Sequence, residues 1–211
     1  EHTVQPGIVY ISFPTESGTL YTKQELKDLY NICQKHNIPL FIDGARLGYG
    51  LMAKKNDVTF EDIANLCDVF YIGGTKVGAL FGECIVILND LYKKDFRYSI
   101  KQHGGMLAKG RMLGIQFEEL FKNNRYLTIS KHAIDMATIL SEGFQSKGYH
   151  FYFPAETNQL FPIFENTKLE ELSKEFAFTP WAKVDETHTA VRFVTSFATK
   201  RENVEYLLTK I

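Results

Sequence analysis

Asp43-Gly-Ala-Arg-Leu-Gly-Tyr-Gly50 and Ile72-Gly-Gly-Thr-Lys-Val-Gly78 are the two stretches whose reading decides the fold. Pro39-Leu-Phe-Ile42 leads into the first and Val69-Phe-Tyr-Ile72 into the second. Short apolar runs of this kind read as buried strands. Between them, Thr59-Phe-Glu-Asp62 has the spacing of a helix capping box, with Asp in the place of Glu or Gln, so a helix over Thr59 to Cys67 is expected. Strand, helix, strand with a tight return argues a right-handed parallel crossover. An acid, Asp43, then leaves one strand at its carboxyl end, and an amine, Lys76, leaves the next at its own. Ligands of open α/β sheets gather at that edge, so the two side chains are expected to face one crevice.

Working outward, Ile8-Val-Tyr-Ile-Ser-Phe13 reads as a strand and Pro14 to Thr19 as a loop. Thr22-Lys-Gln-Glu25 is a capping box opening a helix whose Leu26, Leu29, Ile32 and Cys33 share a face and which closes near His36-Asn37. Downstream come a strand over Gly82 to Leu88, a helix from about Asp90, and two helical runs between 112 and 147 broken near Asn123-Asn124. From Tyr149 short β-like runs (149–153, 159–164, 176–181, 190–195) alternate with helices at 166–175 and 199–210. That pattern predicts a sheet with helices on one side. The expected organisation is an α/β domain over 1–125 and a small α+β domain over 126–211.

The 211 residues are 45% hydrophobic, enough for a core in one or two domains. A net charge of −1, with Lys and Arg dispersed, offers no electrostatic case for nucleic acid or an anionic membrane. No apolar run reaches the roughly 18 residues of a membrane helix, and the start has no signal-peptide pattern. Cys33, Cys67 and Cys84 are odd in number and sit among apolar residues, so they read as reduced thiols of a cytoplasmic protein. No Cys/His spacing resembles a zinc site.

The acid and the amine suit one cofactor. An aldehyde cofactor needs an amine for a Schiff base, and Lys supplies it. Pyridoxal 5′-phosphate also needs a carboxylate beside its ring nitrogen. Lys76 and Asp43 fill these roles; taken singly, a Lys in a Gly-rich loop is more often solvated and an Asp after a strand more often a cap. Gly73, Gly74 and Gly78 permit close backbone approach to a bulky ligand, and their spacing is not that of a Walker A loop. Thr75 is placed to reach a cofactor phosphate. Arg46, three residues past Asp43, is either a surface ion-pair member or a bidentate partner for a carboxylate. Arg192 lies between Val191 and Phe193 in an apolar strand, where a charge needs a partner: a structural counter-ion or a substrate carboxylate.

The runs PGIVYISFPTESGTLYT, PLFIDGARLGYGL, CDVFYIGGTKVGALFGE and KQHGGMLAKGRMLGIQF resemble the threonine aldolase group of pyridoxal-phosphate enzymes, relatives of the β-eliminating lyases. The likeness covers most of residues 4 to 125 and returns at Val191-Arg-Phe-Val-Thr-Ser196. It implies the fold type I architecture of the aspartate aminotransferases. It implies aldol cleavage of L-threonine or L-allo-threonine to glycine and acetaldehyde. It gives Arg46 a carboxylate- or cofactor-facing role and Arg192 the substrate α-carboxylate. Lys109 and Arg111 would reach the cofactor phosphate across a dimer interface, or else are solvated charges at a helix start. The resemblance further implies a homodimer or homotetramer. It also implies an additional amino-terminal part, carrying a phosphate-gripping loop and a ring-stacking His, so the chain is expected to be a fragment with an incomplete site. Three alternatives stay open: another reaction of the same cofactor (β-elimination or transamination), a catalytically incomplete piece, and a non-enzymatic α/β interaction domain.

Overall fold

The computed structural model describes residues 1–211. Four strands form the first sheet, in the order β1 (Val9–Ser12), β2 (Leu40–Asp43), β3 (Val69–Gly73) and β4 (Glu83–Ile87). β1, β2 and β3 are parallel, with Ser12 opposite Asp43 and Phe41 opposite Val69. β4 turns back antiparallel on β3, pairing Gly73 with Glu83. Lys76 therefore lies on the short connection between an innermost parallel strand and its antiparallel edge partner.

Both capping boxes form. The Thr22 hydroxyl accepts from the Glu25 N–H and the Glu25 carboxylate accepts from the Thr22 N–H, starting α1 (Lys23–Lys35). Thr59 and Asp62 make the same reciprocal pair, with Asp reaching as far as the longer acids do, and start α3 (Phe60–Asn65). α2 (Leu47–Leu51) lies between, directly after the Asp43 loop. Leu26, Leu40, Ile42, Leu47 and Ile63 are fully buried and meet in one core with Phe13, Phe70 and Ile72. Each such aliphatic side chain contributes about 1.5–3 kcal/mol by leaving water.

The stretch after β4 departs from expectation. In place of one helix from Asp90 there is a single 3-10 turn at Asp90–Tyr92 and a separate α4 (Phe96–Gln102). Asp95 adopts φ 57°, a left-handed conformation that no continuing α-helix accommodates. The break near 123 is present: Asn123 and Asn124 have φ of 53° and 58°, separating α5 (Arg111–Phe121) from α6 (Arg125–Ser146). Asn tolerates this region better than other residues with a side chain.

α6 serves two cores. Tyr126, Ala133 and Ile134 join the first; Met136, Ala137, Leu140 and Phe144 join a second. That second core packs against β8 (His188–Val194), the central strand of the second sheet. β5 (Gln159–Leu160) and β6 (Ile163–Glu165) pair with β8 in one continuous antiparallel register, and β7 (Thr179–Lys183) pairs with it as well. α7 (Asn166–Leu172) and α8 (Arg201–Lys210) complete the core through Leu169, Leu172, Val204 and Leu207. The single run expected over 159–164 is thus split, and the strand expected over 149–153 is reduced to one bridge, Phe151 to Pro162. Pro162 explains the split: its carbonyl accepts from the Val191 N–H at 3.0 Å, but it has no N–H to return to β8.

Candidate active site

The carboxyl edge of the first sheet is where β2 and β3 release their loops, and two glycines let those loops touch. A Cβ on Gly44 would lie 1.9 Å from the Tyr71 carbonyl oxygen, and one on Gly73 would lie 2.3 Å from that of Ala45. The Gly73 N–H donates to Gly44 O at 2.8 Å across this contact. The loop bearing Asp43 and the loop bearing Lys76 are held together as closely as backbone allows.

Asp43 ends β2 half-buried. Its Oδ1 accepts from the Ala45 N–H at 2.9 Å and from the Tyr71 hydroxyl; its Oδ2 accepts from the Tyr10 hydroxyl. Burial pushes its pKa up, but the two phenols, the Ala45 N–H and the charge of Lys76 together outweigh burial and hold it below the ordinary value. Asp43 is therefore anionic at neutral pH. The phenols respond in the opposite sense. The bond to Asp43 pushes Tyr10 up to about 12, and burial followed by the same carboxylate raises Tyr71.

Past Gly73 the chain makes a 3-10 turn, Thr75–Val77, ended by Gly78 at φ 102°. The Gly74 N–H donates to Glu83 Oε2 at 2.6 Å and the Thr75 hydroxyl reaches Glu83 Oε1 at 3.5 Å. Val77 is fully buried beneath the turn, while the Thr75 and Lys76 side chains are exposed. The Tyr49 hydroxyl donates to the Lys76 carbonyl, and burial pushes that phenol up to about 12. The Tyr126 hydroxyl donates to Gly73 O and accepts from the Gly48 N–H, each at 3.1 Å. Two tyrosines thus pin the backbone of the turn and leave the ammonium free.

Arg46, Thr75, Lys76 and Arg192 line one cavity of about 320 Å3, joined by Tyr49, Asn158 and the Thr195–Phe197 segment. Arg46 is 13% exposed and donates from Nη1 to Glu16 Oε1 at 2.9 Å, so it is both ion-paired and in the wall. Arg192 donates from Nη1 to Gln159 Oε1 at 3.4 Å and lies 5.8 Å from the centre of the Trp181 ring. Its Nε is buried with no hydrogen-bond partner, as is Asn158 Oδ1. Asp43 is not in this wall, although the Lys76 charge acts on it. Lys109 and Arg111 are exposed around the start of α5 and do not reach the cavity. A larger hollow, of about 490 Å3 beside Tyr149 and His188, lies in the second sheet region, away from this edge.

A family model described as β-eliminating lyase matches residues 1–167. The chain belongs to the β-eliminating lyase family. Low-specificity L-threonine aldolases of Pseudomonas sp. (strain NCIMB 10558) and Pseudomonas aeruginosa are 32% and 30% identical to it over 175 residues, covering 81% of this chain and 50% of each of theirs. The solved threonine aldolase of Leishmania major is 45% identical, with a TM-score of 0.96, covering 99% of this chain and 61% of that one. The chain spans about half the length of the curated relatives it matches. An aspartate aminotransferase of Thermus thermophilus, 14% identical with a TM-score of 0.68 over 98% of this chain and 57% of its own, shares the fold alone. The architecture is the fold type I of pyridoxal-phosphate enzymes, and pyridoxal 5′-phosphate is the cofactor of the family to which the chain belongs.

Sequence reasoning missed Tyr10, Tyr71, Glu16, Asn158 and Gln159. Tyr10 and Tyr71 became neighbours of Asp43 only through strand register, which puts Tyr10 opposite Phe41 and so on the face of Asp43 two residues on. Glu16 lies in the loop expected over Pro14 to Thr19, which carries no local signal naming Arg46 as its partner. No helix of the protein is long and apolar enough to cross a membrane.

Proposed function

We propose that this chain carries the substrate-facing half of a pyridoxal-phosphate carbon–carbon lyase that cleaves L-threonine or L-allo-threonine to glycine and acetaldehyde. The observation that carries the reading is the convergence of Lys76, Arg46 and Arg192 on one cavity, with the anionic Asp43 on the adjoining strand end close enough to feel the Lys76 charge. When bound, the cofactor supplies an electron sink for bonds at the substrate α-carbon.

The residues fit that group. Lys76 presents a free amine for the aldehyde, on a backbone pinned by Tyr49. Asp43, kept ionised by its three donors, is equipped to hold a proton on the ring nitrogen. Arg192 keeps its Nε–H unpartnered for an acceptor, and the α-carboxylate of an amino acid is that acceptor. Arg46 adds a second guanidinium, partly neutralised by Glu16, beside the same carboxylate or the cofactor. Thr75 is available to a phosphate on the exposed side of the turn.

The reading includes a homodimer or homotetramer in the cytoplasm. Supporting association, Leu80, Leu91 and Tyr98 are 87%, 79% and 77% exposed, which is apolar surface of the kind that interfaces cover. Because the family is named for β-elimination, that reaction is the second reading. Titrating the purified chain with pyridoxal phosphate and recording the visible spectrum tests cofactor capture; Lys76→Ala is expected to abolish the new absorbance, and an unchanged spectrum in that variant refutes the assignment. Acetaldehyde from L-threonine, against ammonia and a keto acid, separates the two reactions.

A further inference from the structure

Gln159 opens β5 and is fully buried. Its carboxamide is used at both ends. Nε2 donates to the Glu16 carbonyl at 3.2 Å, and Oε1 accepts from Arg192 Nη1 at 3.4 Å. The Glu16 side chain in turn accepts from Arg46 Nη1 at 2.9 Å. One amide therefore joins the loop that holds Arg46 to the guanidinium of Arg192. A carbonyl only accepts and a guanidinium only donates, so the amide has one permitted orientation.

The junction around it is tight. Thr157 Oγ1 donates to Gly18 O at 3.0 Å, and the Leu20 N–H donates to Glu156 Oε2 at 3.3 Å. A Cβ on Gly18 would lie 2.8 Å from the Gln159 carbonyl oxygen. Arg192, by contrast, is loosely held: Gln159 is its one hydrogen-bond partner, its Nε has none, and its remaining neighbour of note is the Trp181 ring.

We propose that Gln159 is a positioning residue that sets Arg192, and through the Glu16 loop Arg46, so that both cations address one carboxylate. The inference rests on the amino-acid reading of the cavity and adds the residue that spaces its two arginines. A buried amide with both ends committed to the two arms of a clamp fixes their separation; an apolar residue of similar volume would fill the space and leave the arms independent.

The test compares the chain loaded with pyridoxal phosphate, unmodified and as Gln159→Leu and Gln159→Glu, binding L-threonine and its carboxylate-free analogue L-threoninol by calorimetry. Gln159→Leu is expected to weaken L-threonine about tenfold while L-threoninol changes less than about twofold, the loss of one charge-assisted bond seen only by the ligand that uses Arg192. Gln159→Glu, which keeps the shape and an oxygen facing Arg192 but adds a negative charge, is expected to weaken L-threonine further. Trp181, the chain's one tryptophan, reports the guanidinium directly: its emission in Gln159→Leu should move toward that of Arg192→Ala. Equal weakening of both ligands, or unaltered L-threonine affinity and Trp181 emission, overturns the positioning role. An unmodified chain that takes up no cofactor, or that binds L-threoninol as well as L-threonine, overturns the proposed function itself, a separate result from failure at Gln159.

Discussion

Gly73→Ala tests the contact that brings the Asp43 and Lys76 loops together. The added methyl would stand 2.3 Å from Ala45 O, 2.6 Å from its carbonyl carbon and 2.8 Å from its Cα, all backbone atoms that no rotamer change can move. Ordinary contact begins near 3.4 Å, so the Ala45 loop must retreat by about 1 Å. Overpacking of this kind costs about 1–3 kcal/mol, and stretching the 2.8 Å Gly73–Gly44 hydrogen bond adds roughly 0.5–1.5 kcal/mol. The expected destabilisation is about 2–4 kcal/mol, read as the shift in urea midpoint at constant m-value. A displacement of about 1 Å between reacting groups can lower turnover roughly a hundredfold, so cofactor absorbance and activity should fall together with stability. Gly78→Ala is the matched control. It has φ 102° and no neighbour nearer than 3.4 Å, so it should show only a backbone penalty of about 1–2 kcal/mol. If Gly73→Ala unfolds like Gly78→Ala and keeps its cofactor spectrum, the two loops are not coupled through this contact.

Other substitutions probe single links. Asp43→Asn weakens the hydrogen bond that chiefly raises the Tyr10 phenol and removes the charge that adds to it, so ultraviolet titration should show a tyrosine ionising at lower pH than in the unmodified chain, with burial keeping part of the shift. The stability Asp43 contributes is present above its unfolded value of 3.8 and lost as pH falls through its depressed folded value. For Tyr10 the sign reverses: its contribution is intact below pH 10.0 and lost as pH rises toward about 12, and Tyr10→Phe should flatten that part of the stability profile. Tyr126→Phe strands both Gly73 O and the Gly48 N–H and is expected to cost about 1–3 kcal/mol in urea unfolding; a loss below roughly 0.5 kcal/mol would show the hydroxyl to be dispensable. Thr22→Ala removes the cap of α1 and should cost about 1 kcal/mol with no effect on cofactor spectra, since the helix start lies outside the cavity.

Much of this molecule could be read from local pattern because the rules involved are local. Capping boxes at Thr22 and Thr59 need only a hydroxyl and an acid three residues apart, and both formed. The runs around Leu40 and Val69 declared themselves as strands, and the Asn123-Asn124 break followed from residues that tolerate a left-handed backbone. The failures were also physical. A proline without an N–H to give β8 cut one expected strand in two, and the left-handed backbone at Asp95 broke the helix expected from about Asp90.

What the residues settled by themselves was the strand-end placement of Asp43 and Lys76, because chain connectivity and strand direction follow from short-range signals. What only tertiary structure decided was who completes the site. Tyr10 is 33 positions from Asp43 and Gln159 is 143 from Glu16; such pairs are made by register and by the docking of the second sheet's β5 against the loop after β1. Hydrogen bonds across those separations depend on angles and distances a fraction of an ångström wide, set by the packing of two cores on α6 and carried by no periodicity in the chain.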